Sequence, residues 1–112
     1  MRSSSASRSS GASQIAGNGG QVNYAAAKGA INSATKALAI ELASRGITVN
    51  AVAPGLIDAG MAAQIDPAVI ERLVPMKRAG SAAEVAALVA FLASDEAGYI
   101  SGQVVSINGA MI

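Results

Sequence analysis

The sequence predicts an α/β fold with parallel strands. Three observations carry the prediction. Ile31, Ala34, Leu38 and Leu42 fall at i, i+3, i+7 and i+11, the stripe of an amphipathic helix. Ile47 to Ala53 (ITVNAVA) is a short apolar run closed by Pro54-Gly55, which reads as a buried strand. Ser81-Ala-Ala-Glu84 has capping-box spacing and precedes a second apolar stripe, Val85, Leu88, Val89 and Leu92. A last strand, Gln103 to Ile107, follows a loop with Gly98 and Gly102. The order helix, strand, helices, strand is that of a parallel sheet crossed by helices.

Each element has its own local reason. Residues 14–22 (QIAGNGGQV) read as a Gly-rich loop, and Asn23 as the N-cap of a helix running to about Ala43. Gly46 closes that helix as a C-cap residue. A short helix is expected near Ala59–Gln64. Asp66 before Pro67 is a cap followed by proline at the first helical position, starting a helix to Leu73. Two parallel strands are too few for an independent sheet, so more sheet is expected from missing sequence or from a partner.

Composition bounds the function. The 112 residues are 52% apolar and 13% charged, which suits one packed domain at most. Net charge is +1 and no basic cluster exceeds Lys77-Arg78, against nucleic acid or an anionic membrane as partner. With no cysteine and no histidine, disulfides, thiolate or imidazole metal sites and Ser-His triads are excluded, and no metal is expected. No apolar run approaches the ~18 residues of a membrane span. Residues 1–13 (MRSSSASRSSGAS) hold seven serines and two arginines and read as a poorly ordered leader before a domain at 14–112. The leader has no apolar core of a secretory signal, and a cytoplasmic location is expected.

The chemistry-bearing pair is Tyr24 and Lys28. An i, i+4 spacing places both on one helical face, a turn apart. A phenol titrates near ~10, too high for proton transfer at neutral pH, and a neighbouring ammonium favours the phenolate and lowers that value. So tuned, a tyrosine can protonate a developing alkoxide or deprotonate an alcohol. Ala25, Ala26, Ala27, Gly29 and Ala30 leave room for a substrate or a second helix. Spacing alone favours two ordinary surface residues, because Y-x-x-x-K is common.

The surrounding stretches change that weighting. GNGGQVNYAAAKGAI, ELASRGITVNAVAPGLI and KRAGSAAEVAALVAFLASDEAGYISGQVVSINGAMI resemble, in order and spacing, the C-terminal half of the short-chain dehydrogenase/reductase family. Among its branches the 3-oxoacyl-(acyl carrier protein) and acetoacetyl-CoA reductases look nearest. The resemblance runs from Gln14 to Ile112. It implies the C-terminal half of a Rossmann-like doubly wound parallel sheet, with the N-terminal dinucleotide-binding half absent. It implies NADP- or NAD-dependent reduction of a ketone, such as a 3-oxoacyl thioester. Tyr24 matches the catalytic acid/base, and Lys28 the residue that tunes it and holds the nicotinamide ribose. Asn50 to Gly55 (NAVAPG) matches the strand and turn beside the nicotinamide, with Pro54, Gly55 and Ile57 on the cofactor side. A homodimer or tetramer is implied, through the 24–43 helix and the 82–107 segment.

The sequence departs from the family in three places. No strand, Gly-rich turn and helix to hold a pyrophosphate stands in these residues, so Gly17, Gly19 and Gly20 read as loop. Gly11 occupies the place of the catalytic serine, and Ser10, one residue away, is the candidate replacement. The residues before it, SSSASRSS, lack the β-branched apolar residues of a strand. Ala59 stands where many relatives carry a cofactor-contacting Thr. The alternative function is therefore a non-catalytic, oligomerising α/β remnant. Tyr99 is expected to pack, Asn108-Gly109 to form a turn, and Met61, Met76 and Met111 to lie in the core or an interface.

Overall fold

The computed structural model describes residues 3–8 and 17–111. Strand β1 (Ser3–Arg8), helix α1 (Gly17–Leu42), strand β2 (Ile47–Pro54), helix α2 (Pro67–Leu73), helix α3 (Ala82–Leu92) and strand β3 (Val104–Ile107) follow one another. The strands form one parallel sheet in the order β1-β2-β3. The α/β prediction holds, with one strand more than expected.

That extra strand lies in the serine-rich N-terminal stretch. Ser3–Arg8 is paired along its whole length with Ile47–Val52. β2 explains why. Seven of its eight residues are buried, so it is a central strand whose backbone needs partners on both edges. Pairing supplies what the serine-rich composition does not.

Helix α1 begins at Gly17, six residues before the expected cap, and takes in Gly17, Gly19 and Gly20. Asn23 is thus an interior residue, since a side chain caps only where no preceding turn exists. The C-terminal end matches expectation. A single 3-10 turn, Ala43–Arg45, leads to Gly46 at φ 72°, whose N–H donates to the Ala43 carbonyl. The buried stripe is shifted from the expected one. Thr35 and Ala39 are buried with Ile31 and Leu42 partly so, while Ala34 and Leu38 are exposed.

The core lies between β2 and α3. Val52, Val85 and Leu92 form its centre, with Ile57, Leu88, Val89, Ile100, Val105 and Ile107 packed around them. Full burial of a Val or Leu side chain, as at Val52, Val85 and Leu92, contributes about 1.5–3 kcal/mol. Strand alternation sends Val49, Ala51 and Ala53 to the opposite face, and α1 also packs against β2. The expected caps are present. Asp66 Oδ1 accepts from the Ala68 amide at 2.9 Å, and Pro67 opens α2. Ser81 and Glu84 close a reciprocal capping box on α3. A 3-10 turn covers Gly60–Gln64.

β3 starts one residue later than expected. The Gln103 amide is turned to the Asn50 side chain, although its carbonyl accepts from Ala51. Among the described residues no helix is long and apolar enough to cross a membrane.

Candidate functional site

β2 and α1 together define where the site lies. The chain reverses at Gly46, so α1 runs back along β2. Eight strand residues cover about 23 Å, and α1 needs about 15 residues for that distance. Counted from Leu42, this puts Lys28 level with Pro54 at the carboxyl end of β2. Tyr24 lies one turn further out. Both belong to one unbroken helix, and Lys28 is half-buried. Ligands of open parallel sheets bind outside the carboxyl ends of the strands, which is this end.

The turn after β2 is held from two sides. The Gly55 N–H donates to the Ile107 carbonyl at 2.9 Å. A Cβ on Gly55 would sit 2.7 Å from Asn108 Cβ and 2.9 Å from its Cα, so only glycine allows this approach. On the other side, Gly80 donates to the Leu56 carbonyl at 2.9 Å and accepts from the Asp58 amide at 2.7 Å. This is a parallel bridge between Ile57 and Gly80, made by the neighbours of Ile57. The N–H and C=O of Ile57 itself therefore face away from Gly80. The C=O accepts from Ala59, and the side chain joins the core.

A cavity of about 440 Å³ opens beside this turn, lined in part by Met76, Arg78, Glu84 and Asn108. Arg78 donates from both terminal nitrogens to Glu84, at 2.9 and 3.0 Å. That fork, with the Ser81 amide, holds the Glu84 carboxyl at about 2, below the ordinary carboxylate range. The same contact raises the Arg78 value. The stabilisation is present above the ordinary carboxylate value of about 4.3 and is lost as pH falls toward 2. Glu84→Gln is expected to lower the melting temperature slightly at pH 7, because the pair is exposed. Near pH 2 the two proteins should melt together. An equal difference at both pH values would rule out the ion pair as the cause.

Of the sequence-predicted residues, Tyr24 and Lys28 lie on α1, Pro54 ends β2, and Gly55 and Ile57 follow in the turn after it. Ser10 and Gly11 lie outside the described residues. Asn50, first residue of the NAVAPG stretch, has its side chain committed to the loop before β3. Tyr99 does not pack: it is fully exposed. Met76 is exposed and Met111 half-buried against Gly55, while Asn108-Gly109 does form a turn. Spacing gave no sign of the contacts from Asn108 to Gly55 and from Gly80 to Ile57, which join residues far apart in sequence.

A family model described as enoyl-(acyl carrier protein) reductase matches residues 3–111. The chain belongs to the short-chain dehydrogenase/reductase family. The match starts in β1, earlier than the Gln14 expected from the motifs. Over 98 residues the chain is 52% identical to the 3-oxoacyl-(acyl-carrier-protein) reductase FabG of Pseudomonas aeruginosa. It is 54% identical to the FabG of Escherichia coli strain K12 and 43% identical to the reductase MabA of Mycobacterium bovis. Each match covers 85% of this chain and 40% of the relative, so the short-chain dehydrogenase/reductase chain described here spans less than half their length.

Proposed function

We propose that this chain carries the proton-donating side of a short-chain dehydrogenase/reductase centre that reduces a ketone of the 3-oxoacyl thioester class with NADPH or NADH. The observation that carries the reading is the Tyr24–Lys28 pair, one turn apart at the carboxyl end of a parallel sheet. In it Tyr24 gives its phenolic proton to the oxygen that becomes the alcohol. Lys28 favours the phenolate left behind and so brings the tyrosine into a useful range. Ser10 would hold the substrate carbonyl toward Tyr24.

The residues fit the nicotinamide end of such a cofactor. The Ile57 N–H, turned away from Gly80, suits a carboxamide oxygen, and Pro54 and Gly55 give the turn a small, rigid wall. Lys28 would hold the ribose hydroxyls. When bound, the cofactor supplies the hydride. The pyrophosphate end is different. Gly17, Gly19 and Gly20 lie within α1, at least nine residues past the end of β1, and build no tight strand-to-helix turn. In our reading these 112 residues alone are an incomplete catalyst, and other sequence or another subunit supplies the phosphate-holding turn.

Two results test this. The 112-residue chain should show no saturable NADPH binding at micromolar concentration in a fluorescence titration, and saturation there would contradict the reading. A hybrid carrying residues 14–112 in place of the matching segment of the Pseudomonas aeruginosa reductase should reduce acetoacetyl-CoA with NADPH. A folded but inactive hybrid would instead favour the non-catalytic, oligomerising role.

Self-association belongs to the same proposal. Leu38 and Ile40 on α1 and Phe91 on α3 are exposed, and the outer edge of β3 has no partner strand among the described residues. A homodimer or tetramer through α1, α3 and β3 would cover them. Sedimentation at micromolar concentration should give a multiple of 11.0 kDa; a folded monomer would refute it.

A further inference from the structure

The turn Asn108–Met111 touches both segments that flank the proposed cofactor face. Toward β2, the residue before it accepts the Gly55 amide, and the Asn108 Cα and Cβ occupy the space a Gly55 side chain would need. Toward α2, the Gly109 carbonyl accepts the Met76 amide at 3.2 Å. A Cβ on Gly109 would lie 2.7 Å from Val74 Cγ1, and the φ of 61° there favours glycine as well. The Asn108 side chain fixes the turn's own shape. Its Nδ2 donates to the Met111 carbonyl and its Oδ1 accepts from the Ala110 amide, both at 3.1 Å. Ala110 is held at φ 70°, a conformation that an alanine adopts only when its surroundings impose it.

We propose that Asn108 and Gly109 are positioning residues: their turn clamps the Gly55–Ile57 strip and the Val74–Met76 turn in one register, and so sets the cofactor-facing backbone beside Tyr24 and Lys28. The proposal rests on the functional reading above. A loosened strip must be re-ordered each time cofactor binds, so the penalty falls on cofactor affinity. A residue that merely supported the fold would lower melting temperature and leave the cofactor KM unchanged.

Hydrogen exchange on the 112-residue chain reads the clamp, because the Met76 amide donates to Gly109 within the turn and the Gly55 amide to Ile107 just before it. Asn108→Ala should speed exchange of both about tenfold, with the Val52 and Val85 amides unaffected. In the hybrid, the same variant should raise the NADPH KM about tenfold and change kcat much less. Asn108→Asp keeps the oxygen that accepts from Ala110 and should restore part of both effects. Gly109→Ala, which pushes on Val74, approaches the clamp from the other side and serves if Asn108→Ala does not fold. Unchanged exchange at Gly55 and Met76 in folded variants overturns the proposal, as does faster exchange with an unchanged KM. An unsubstituted hybrid without activity overturns the functional reading, and the positioning role with it, whatever the exchange shows.

Discussion

Tyr24→Phe in the hybrid enzyme is expected to lower kcat for ketone reduction by about 10²–10⁴-fold, with little change in NADPH KM. The substitution removes one oxygen and keeps the ring. The helix is unbroken from Gly17 to Leu42, and phenylalanine is as compatible with it as tyrosine, so folding should survive. On the proposed reading, what disappears is the proton that would neutralise the oxygen as hydride arrives. Lys28→Ala should cost both activity and affinity, because the ammonium is assigned to the phenolate and to the ribose. The two variants therefore separate the roles. A Tyr24→Phe hybrid that kept a tenth of the parent rate would remove the tyrosine from the chemistry.

The sequence exposed what is local and hid what is paired. Asp66-Pro67, the Ser81–Glu84 box and Gly46 were legible because a cap depends on residues three or four apart. β2 was legible because burial on both faces writes an unbroken apolar run. β1 was not, since SSSASR carries no strand signal of its own and becomes a strand through the backbone of β2. The start of α1 was misread for a related reason: a cap residue marks a possible beginning, and a ladder continuing from Gly17 overrides it. In the candidate site, the Tyr24–Lys28 spacing was visible because a helix converts i, i+4 into adjacency. The fixing of Gly55 by Asn108 and of Ile57 by Gly80 was invisible, because these contacts close only when β3 and the 77–80 segment reach the end of β2.

Asn50 is the strongest instance of such a hidden contact and the site of the second large effect. It stands in the middle of β2 with 1% of its surface exposed. Its Nδ2 donates to the Ile100 carbonyl at 3.0 Å, and its Oδ1 accepts from the Gln103 amide at 3.1 Å. The same loop is tied to β2 by the Gly102 amide on the Val49 carbonyl and by Ser101 Oγ, which accepts from the Val49 amide. Asn50→Ala takes the partner from one donor, the Gln103 amide, and one acceptor, the Ile100 carbonyl, both part-buried, and a group so stranded costs up to about 1–3 kcal/mol. A loss of about 2–4 kcal/mol is expected, against a total of about 5–15 kcal/mol for a domain of ordinary stability. Asn50→Asp should be worse at neutral pH. It keeps the acceptor for Gln103 but buries a carboxylate facing the Ile100 carbonyl, which raises its pKa. The protonated acid can donate to that carbonyl, so the deficit of this variant should shrink as pH falls through the raised value, opposite in sign to the Glu84–Arg78 pair. Urea unfolding of the three proteins at pH 7 and pH 5 measures both effects. An Asn50→Ala loss below about 0.5 kcal/mol, the range of ordinary surface changes, would mean that the 100–103 loop is held by the Gly102 and Ser101 bonds to β2 without help from Asn50.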